Sequence, residues 1–406
     1  MKPSLKNVRI LGVLSIIGAV FAFLAPAGVT DIRLHAESDL IAIPDFPVQS
    51  GIVCWSALAV QLALLVFAYL NYRGHRKDPR WLVPVFGAAF LLSTLVFLYA
   101  GKTLTFTALL AGSLALAVPL IFGSLAGVLS ERSGVVNIAI EGQLLAGAFT
   151  SALVASLTNS VWVGLIVAAI AGALVAAVLA VFAIKYLVDQ IIVGVVLNVL
   201  VVGLTNFLFS TLMNDLATFN SPPRFDTFSV PLLSQIPVLG PVLFSQTPIV
   251  YLMYVAVAVV WTALFKTRWG LRLRAVGEYP KAADTVGIKV FRTRYVAVII
   301  GGALAGLGGA FFTLGQVGAF GKEMTNGAGY IALAALIFGR WNPIYAAVAA
   351  LLFGFSENLQ FGLAIIGSSV PSEFLLMLPY VLTVVAVAGL VGRVVAPAAD
   401  GKPYLK

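Results

Sequence analysis

Long apolar stretches separated by short polar segments recur along the whole chain. Each is close to the roughly 20 apolar residues that a helix needs to cross the hydrocarbon core of a bilayer. The stretches lie at approximately 8–28, 51–71, 81–101, 104–129, 138–158, 161–184, 187–212, 248–265, 295–316, 319–339, 344–366 and 374–392. Backbone groups that face lipid must be paired within the protein. The pattern therefore predicts an all-α integral membrane protein, a polytopic helical bundle of about 12 spans, some of them broken or re-entrant.

Composition agrees with this pattern and excludes several classes of chemistry. Of the 406 residues, 61% are hydrophobic and 10% are charged, whereas soluble domains have about 45–50% and about 25%. One cysteine, Cys54, and two histidines suit neither a thiolate cluster nor a catalytic triad or multi-histidine zinc site. Gly101-Lys102-Thr103 resembles the end of a phosphate-binding loop, but Val96 stands where that motif needs glycine. We expect no catalytic residue and no metal in this chain.

The charges of the connecting segments predict the orientation of the chain. Segments 72–80 and 266–294 are strongly basic, whereas 29–50 and 213–247 are neutral or acidic. Basic segments stay in the cytoplasm, so twelve crossings place both termini inside. Six prolines within or just after 213–247 disfavour a continuous helix there and predict an extracytoplasmic cap. The first apolar stretch is either a retained first helix or a cleavable signal peptide, with cleavage near residue 27.

Polar residues inside the apolar stretches form the first candidate site. Asn137 and Glu141 lie in 130–143 beside Gly134 and Gly142. Because an intramembrane acid is costly, it faces a cavity, a partner or solvent. The segment is either a turn at the headgroup level or an interrupted helix whose end lines a translocation path.

A polar stripe is predicted on the span 187–212. Asn198, Thr205 and Asn206 have helical i, i+7, i+8 spacing, with Phe207 beside them. They either bond neighbouring helices or face a pathway. Segment 327–340, which contains Tyr330, has glycines at both ends and fits a short or re-entrant helix; Glu357 lies in the next span.

The basic segment 266–294 contains a second candidate site. Glu278 precedes a short amphipathic helix, Pro280 suits its first turn, and Gly287 suits its end. Such a helix is too short to be stable alone in water, which indicates that it docks on a partner. Replacement of Ala283, at its centre, by Asp is expected to disrupt that docking without unfolding the spans.

Three motifs in this chain resemble those of nucleoside ABC importer permeases, a group related to ribose-type and branched-chain amino-acid permeases. They are 131–142 (ERSGVVNIAIEG), 274–288 (RAVGEYPKAADTVGI) and 329–343 (GYIALAALIFGRWNP). The sugar branch has GGIDLSVG in place of the first motif, and this chain lacks it. The resemblance covers approximately 104–395 and leaves about three extra helices in 1–103 outside the permease core, with 396–406 as a cytoplasmic tail.

The resemblance implies a multi-pass permease subunit of an ATP-driven importer in the bacterial cytoplasmic membrane. Its implied partners are cytoplasmic ATPases that bind ATP and Mg, a second permease subunit, identical or paralogous, and an extracytoplasmic substrate-binding lipoprotein. The implied ATPase-coupling residues are Glu278, Tyr279, Pro280, Lys281, Ala282, Ala283, Asp284 and Gly287. The substrate path is assigned to Asn137, Glu141, Asn198, Thr205, Asn206, Phe207, Tyr330 and Glu357.

Three other functions stay open at this point. A permease for simple sugars such as ribose would share the same fold. An ion-coupled secondary transporter would use Glu141 or Glu357 as its proton carrier. A membrane enzyme would need a nucleophile–base pair, which the pattern does not offer.

Overall fold

A computed structural model describes residues 5–26, 28–35, 43–79, 81–213, 217–367, 377 and 395–405. The α-helices are α1 (Leu5–Leu24), α2 (Ser50–Arg73), α3 (Leu82–Leu98), α4 (Phe106–Arg132), α5 (Ile140–Thr158), α6 (Val161–Ala180), α7 (Gln190–Leu208), α8 (Pro248–Lys266), α9 (Arg268–Glu278), α10 (Pro280–Thr285), α11 (Val290–Ala310), α12 (Ala328–Phe338) and α13 (Pro343–Ile365). The strands are β1 (Val29–Arg33), β2 (Phe46–Gln49), β3 (Thr103–Thr105), β4 (Phe228–Ser229) and β5 (Ser245–Gln246). The prediction of a helical membrane protein is confirmed.

The described residues form two compact units. The first contains residues up to Ala111, Pro231–Leu243 and Leu359–Leu378. In it α1, α2 and α3 pack on one another around two apolar clusters, one of which includes Leu82 and Phe86 and the other Cys54. The same unit contains a small sheet in the order β2-β1-β3. In it, β1 runs antiparallel to β2 and parallel to β3.

The second unit contains Gly112–Val230, Phe244–Asn358 and the C-terminal tail. Its centre is the packing of α5, α6 and α11, which glycines make possible. A Cβ atom on Gly306 of α11 would collide with the Ala168 carbonyl of α6, and one on Gly309 would collide with the Leu144 carbonyl of α5. Small residues let helix backbones approach closely in lipid, so these glycines of α11 serve packing.

The ends of three of these helices are wider π-helical segments. They follow α6 at Val181–Lys185, α7 at Phe209–Met213 and α11 at Phe311–Val317. The connection 217–247 consists of short turns and the pair β4–β5. Its proline content explains the lack of a long helix among these described residues.

The predicted span list needs two corrections, and one span cannot be compared. The stretch 319–339 is not a span of its own, because only α12, 11 residues long, is an α-helix within it. The helix expected to start at residue 295 begins at Val290, so Arg292 and Arg294 belong to it. The span 374–392 lies outside the described residues apart from Met377. The described part of the chain contains nine helices long and apolar enough to cross a membrane, together with the shorter α3 and α12.

Candidate translocation site and coupling segment

The chain between α4 and α5, residues 133–139, is an interruption held by buried amides. Asn137 and Gln143 exchange two hydrogen bonds, with Nδ2 to Oε1 at 3.1 Å and Nε2 to Oδ1 at 3.0 Å. The Val136 amide donates to Gln190 Oε1 at 2.7 Å. The segment thus connects two helices that are each long and apolar enough to cross a membrane, and its role in lining a path stays a prediction. Asn137 is fully buried, and its amide is used within this interruption.

Asn198 on α7 connects this interruption to two other helices. Its Oδ1 accepts from the Gly142 amide at 2.8 Å, and its Nδ2 donates to the Ile138 carbonyl at 2.9 Å and to the Tyr330 hydroxyl at 3.1 Å. Gly142 lies in the first turn of α5, where backbone amides have no partner within the helix. Asn198 therefore caps α5 from a neighbouring helix.

Glu141 caps a second helix in the same manner. Its Oε1 accepts from Thr325 Oγ1 at 2.7 Å and from the Gly327 amide at 2.9 Å, and its Oε2 accepts from the Gly329 amide at 2.6 Å. These donors stand at the start of α12. A carboxylate there satisfies orphan amides and complements the positive end of the helix dipole. The buried acid has a complete set of partners.

Glu141, Asn198 and Tyr330 line one cavity of about 310 Å³, at the lower end of the range for small-molecule sites. Its complete lining is Glu141, Leu145, Asn198, Val199, Val202, Glu323, Thr325, Asn326, Gly327 and Tyr330. Amide, hydroxyl and carboxylate groups thus face a space with an aromatic ring and aliphatic side chains. Such a lining can bind an uncharged polar molecule that has a flat apolar part.

The other predicted path residues do not line this cavity. The Thr205 hydroxyl donates to the Val201 carbonyl of its own helix at 2.8 Å, and Phe207 is exposed. Asn206 Nδ2 donates to Glu323 Oε1 at 3.0 Å, which places it next to a lining residue. Glu357 is half-buried on α13 and is not part of the lining.

Sequence reasoning missed the loop that forms one wall of the cavity. Glu323, Thr325, Asn326 and Gly327 lie between α11 and α12. The polar run Gly321–Gly327 is the sequence signal for this loop. The predicted span 319–339 includes it because apolar residues flank it on both sides.

The short helix predicted in the basic segment is α10. It begins at Pro280 and ends at Thr285, and Gly287 adopts a positive φ of 84°. Tyr279 and Val286, which flank it, are 63% and 75% exposed, whereas Ala283 is 3% exposed and packs with Val276 and Val290. Replacement of Ala283 by Asp would bury a charge in this cluster. This change would therefore disturb the packing of α10 itself, and the expectation that the spans stay folded remains a prediction.

Comparison with known proteins shows the family to which the chain belongs. Residues 109–387 match the family described as branched-chain amino acid transport system / permease component. The chain belongs to this family. The permease is a transport component of an ABC system, and this family is not catalytic by itself.

Two curated nucleoside permeases are similar to this chain over nearly their full length, and a third relative over a smaller part. The guanosine ABC transporter permease protein NupQ of Bacillus subtilis is 42% identical over 72% of this chain and 95% of its own. The nucleoside ABC transporter permease protein NupC of Lactococcus lactis is 40% identical over 74% of this chain and 98% of its own. A putative glucose ABC transporter permease protein of Haloferax volcanii, TsgC13, is 37% identical over 60% of this chain and 74% of its own.

Both bacteria have a second permease that also matches this chain, at lower identity. NupP of Bacillus subtilis is 27% identical over 63% of this chain, and NupB of Lactococcus lactis is 25% identical over 58%. No solved structure matches the chain. The helices α1, α2 and α3 precede the segment that matches the family.

Proposed function

We propose that this permease forms the translocation path for nucleosides in an ATP-driven importer. The observation that carries the proposal is 40–42% identity to two permeases named for guanosine or nucleosides, over 95–98% of their length. The relative named for glucose is less similar and covers less of its own chain. Nucleosides are therefore favoured over simple sugars as the substrate.

The cavity between α5, α7 and α12 supports this substrate class. A nucleoside has many hydrogen-bond donors and acceptors, no charge and a flat base. Asn326 and Thr325 offer an amide and a hydroxyl, and the half-exposed ring of Tyr330 offers a face for stacking. Aromatic stacking with a base contributes about 1–3 kcal/mol.

The partners proposed here follow from the class of transporter. We assign ATP and Mg to cytoplasmic ATPase subunits, which seat on the segment from Glu278 to Gly287. A second permease completes the pore; the pairs NupQ–NupP and NupC–NupB in two bacteria favour a paralogue over a second identical copy. An extracytoplasmic lipoprotein delivers the nucleoside. Both termini then lie in the cytoplasm.

Transport by the reconstituted complex tests the substrate class. Proteoliposomes with the permease, its paralogue and the ATPase, supplied with the binding lipoprotein, should take up labelled purine or pyrimidine nucleosides when ATP is present. Ribose and glucose should not compete. Uptake of glucose in preference to every nucleoside would assign the permease to sugars and reject the proposal.

A pair of tyrosines tests the cavity within the same assay. Tyr330→Ala should raise the KM for nucleoside by several fold because the stacking surface is lost. Tyr345→Ala is the matched control, since Tyr345 is also exposed, lies on α13 and does not line the cavity. Equal KM values for the two variants would remove Tyr330 from the path.

A second pair tests the coupling segment. Tyr279→Ala should reduce the amount of ATPase that copurifies with the permease, because an exposed aromatic side chain beside α10 is a natural anchor in a partner's groove. Leu271→Ala on α9 is the control, since Leu271 is 62% exposed and lies outside the segment. Unchanged copurification of the Tyr279 variant would place the ATPase elsewhere.

A further inference from the structure

The C-terminal tail, residues 395–405, packs on the coupling segment. It lies outside the residues that match the family. The Ala399 amide donates to the Gly277 carbonyl of α9 at 2.9 Å, and the Ala398 amide donates to Glu278 Oε2 at 3.3 Å. A backbone hydrogen bond and a hydrogen bond to the Glu278 side chain therefore join the tail to the end of α9, directly before Tyr279 and α10.

A buried arginine fixes the same tail to the transmembrane part. Arg294 of α11 is 1% exposed; its Nη1 donates to the Lys402 carbonyl at 3.2 Å and its Nε to the Ser133 carbonyl at 3.1 Å. Burial raises the pKa of the Asp400 carboxyl to about 7, although the Gly401 amide and Arg294 act in the opposite direction. The guanidinium thus joins the tail to the interruption between α4 and α5.

Tyr404 places an aromatic ring under α10. It is 5% exposed and forms one apolar cluster with Val276, Ala283 and Val290, which come from α9, α10 and α11. Its hydroxyl faces the Asp284 carboxylate of α10. Six residues of helix are not stable alone, so α10 depends on the surface against which Ala283 is buried. Tyr404 supplies part of that surface.

We propose that Tyr404 is a positioning residue of the coupling segment: the C-terminal tail holds α10 in the orientation in which it transmits ATP hydrolysis to the path. The inference rests on the proposed function, because it assumes that α10 meets the ATPase. Tyr404 acts through α10 and touches neither nucleoside nor ATP. Its loss leaves the exposed residues Tyr279 and Val286 in the chain but changes how firmly they are presented.

The test compares substitutions of Tyr404 in the complete reconstituted complex. Tyr404→Phe keeps the ring, Tyr404→Leu keeps an apolar side chain, and Tyr404→Ala leaves the cluster open. Leu405→Ala is the matched control, since the neighbouring Leu405 is 68% exposed. Nucleoside uptake and ATP hydrolysis are measured on the same proteoliposomes, together with the amount of ATPase bound.

We expect ATP hydrolysed per nucleoside transported to rise several fold in Tyr404→Ala and less in Tyr404→Leu. Tyr404→Phe and Leu405→Ala should match the unmodified permease. If Tyr404→Ala yields too little folded complex, the ratio of ATP hydrolysed to nucleoside transported is compared between Tyr404→Leu and Tyr404→Phe, and a higher ratio in Tyr404→Leu supports the proposal. A purely structural role would lower the amount of complex and leave this ratio unchanged in every variant, which would overturn the inference.

A failure of the proposed function would give a different result from a failure of the inference about Tyr404. If the unmodified complex neither binds ATPase nor takes up nucleosides, the assumption about α10 is wrong before any variant is compared. If the unmodified complex couples normally and the Tyr404 series shows one constant ratio, only the role of the tail is rejected.

Discussion

Single polar side chains in the second unit complete the ends of helices that they do not belong to. Glu141 of α5 caps α12, and Asn198 of α7 caps α5. The first amides of a helix have no partner within that helix, and at a buried helix start a neighbouring side chain can satisfy them in place of water. The same two residues line the cavity. Here the residues that keep the interruption intact also form the proposed site.

Glu141→Gln should destabilise the permease. Glutamine retains one acceptor oxygen, but its amide nitrogen would face the Gly327 or Gly329 amide, and a charge-assisted hydrogen bond is lost at a cost of about 1.5–3 kcal/mol. We expect the unfolding temperature in detergent to fall by several degrees, read from the loss of monodisperse permease on size-exclusion chromatography after heating. Thr325→Val removes one neutral donor and should cause a smaller fall. A Glu141→Gln permease as stable as the unmodified one would contradict the capping role.

Asn198→Leu and Asn206→Leu should have different effects although both remove an amide from α7. The first leaves the Gly142 amide and the Ile138 carbonyl without their partner, which costs about 1–3 kcal/mol for a buried group, so less folded permease is expected. The second removes only the bond to Glu323. We expect normal abundance, measured by size-exclusion chromatography. Nucleoside uptake per folded molecule should be reduced. Normal uptake by Asn206→Leu would remove Asn206 from the path.

At the scale of elements, hydrophobic periodicity predicted where most helices run but not which are complete. The stretches for α5, α6 and α8 agree with the structure to within a few residues, because each is predominantly apolar along its length, even though α5 contains Glu141 and Gln143 near its start. The stretch 319–339 does not agree, because the polar run Gly321–Gly327 is short and lies between apolar residues on both sides. Sequence also marked Glu141 and Asn198 as unusual. It could not show that each bonds to another helix, since contact across helices depends on tertiary packing.

Gly306→Ala should be severely destabilising. A methyl group at this position of α11 would collide with the Ala168 carbonyl, and overpacking typically costs about 1–3 kcal/mol, occasionally more. Gly203 of α7 is the matched control: a Cβ there meets nothing within 4 Å. Alanine at 203 should be neutral or slightly stabilising, since it favours a helix by about 0.8–1.0 kcal/mol over glycine. The amount of monodisperse permease measures both, and equal loss in the two variants would contradict the packing argument.

At the scale of the whole molecule, this permease is longer than the segment that it shares with its relatives. NupQ and NupC are matched over 95–98% of their length by 72–74% of this chain, and α1, α2 and α3 precede the segment that matches the family. These helices have apolar clusters of their own, and their sheet is reinforced by an ion pair between Arg33 and Asp45 at 3.1 Å. Helices α1, α2 and α3 thus have apolar packing of their own and precede the segment that the relatives share.

A permease that starts at Thr105 should still transport. The relatives indicate that the segment after it suffices for a path, and the cavity and α10 belong to the second unit. We expect a lower unfolding temperature, because the Lys102 ammonium no longer binds the Ile366 and Gly367 carbonyls and Thr107 loses the Leu34 carbonyl. Nucleoside uptake per folded complex, with ATPase bound, is the deciding measurement.

The control for this deletion is Arg33→Ala in the full chain, which weakens the sheet and leaves every helix present. If the deletion is folded, binds ATPase and takes up no nucleoside while Arg33→Ala transports normally, the three helices take part in transport itself. Retained uptake in both would show that the first unit serves another purpose, such as the stability of the chain in the membrane. The two results differ because only the deletion removes the lipid-facing surface of α1 and α2, where Ile16, Val20 and Leu62 are exposed.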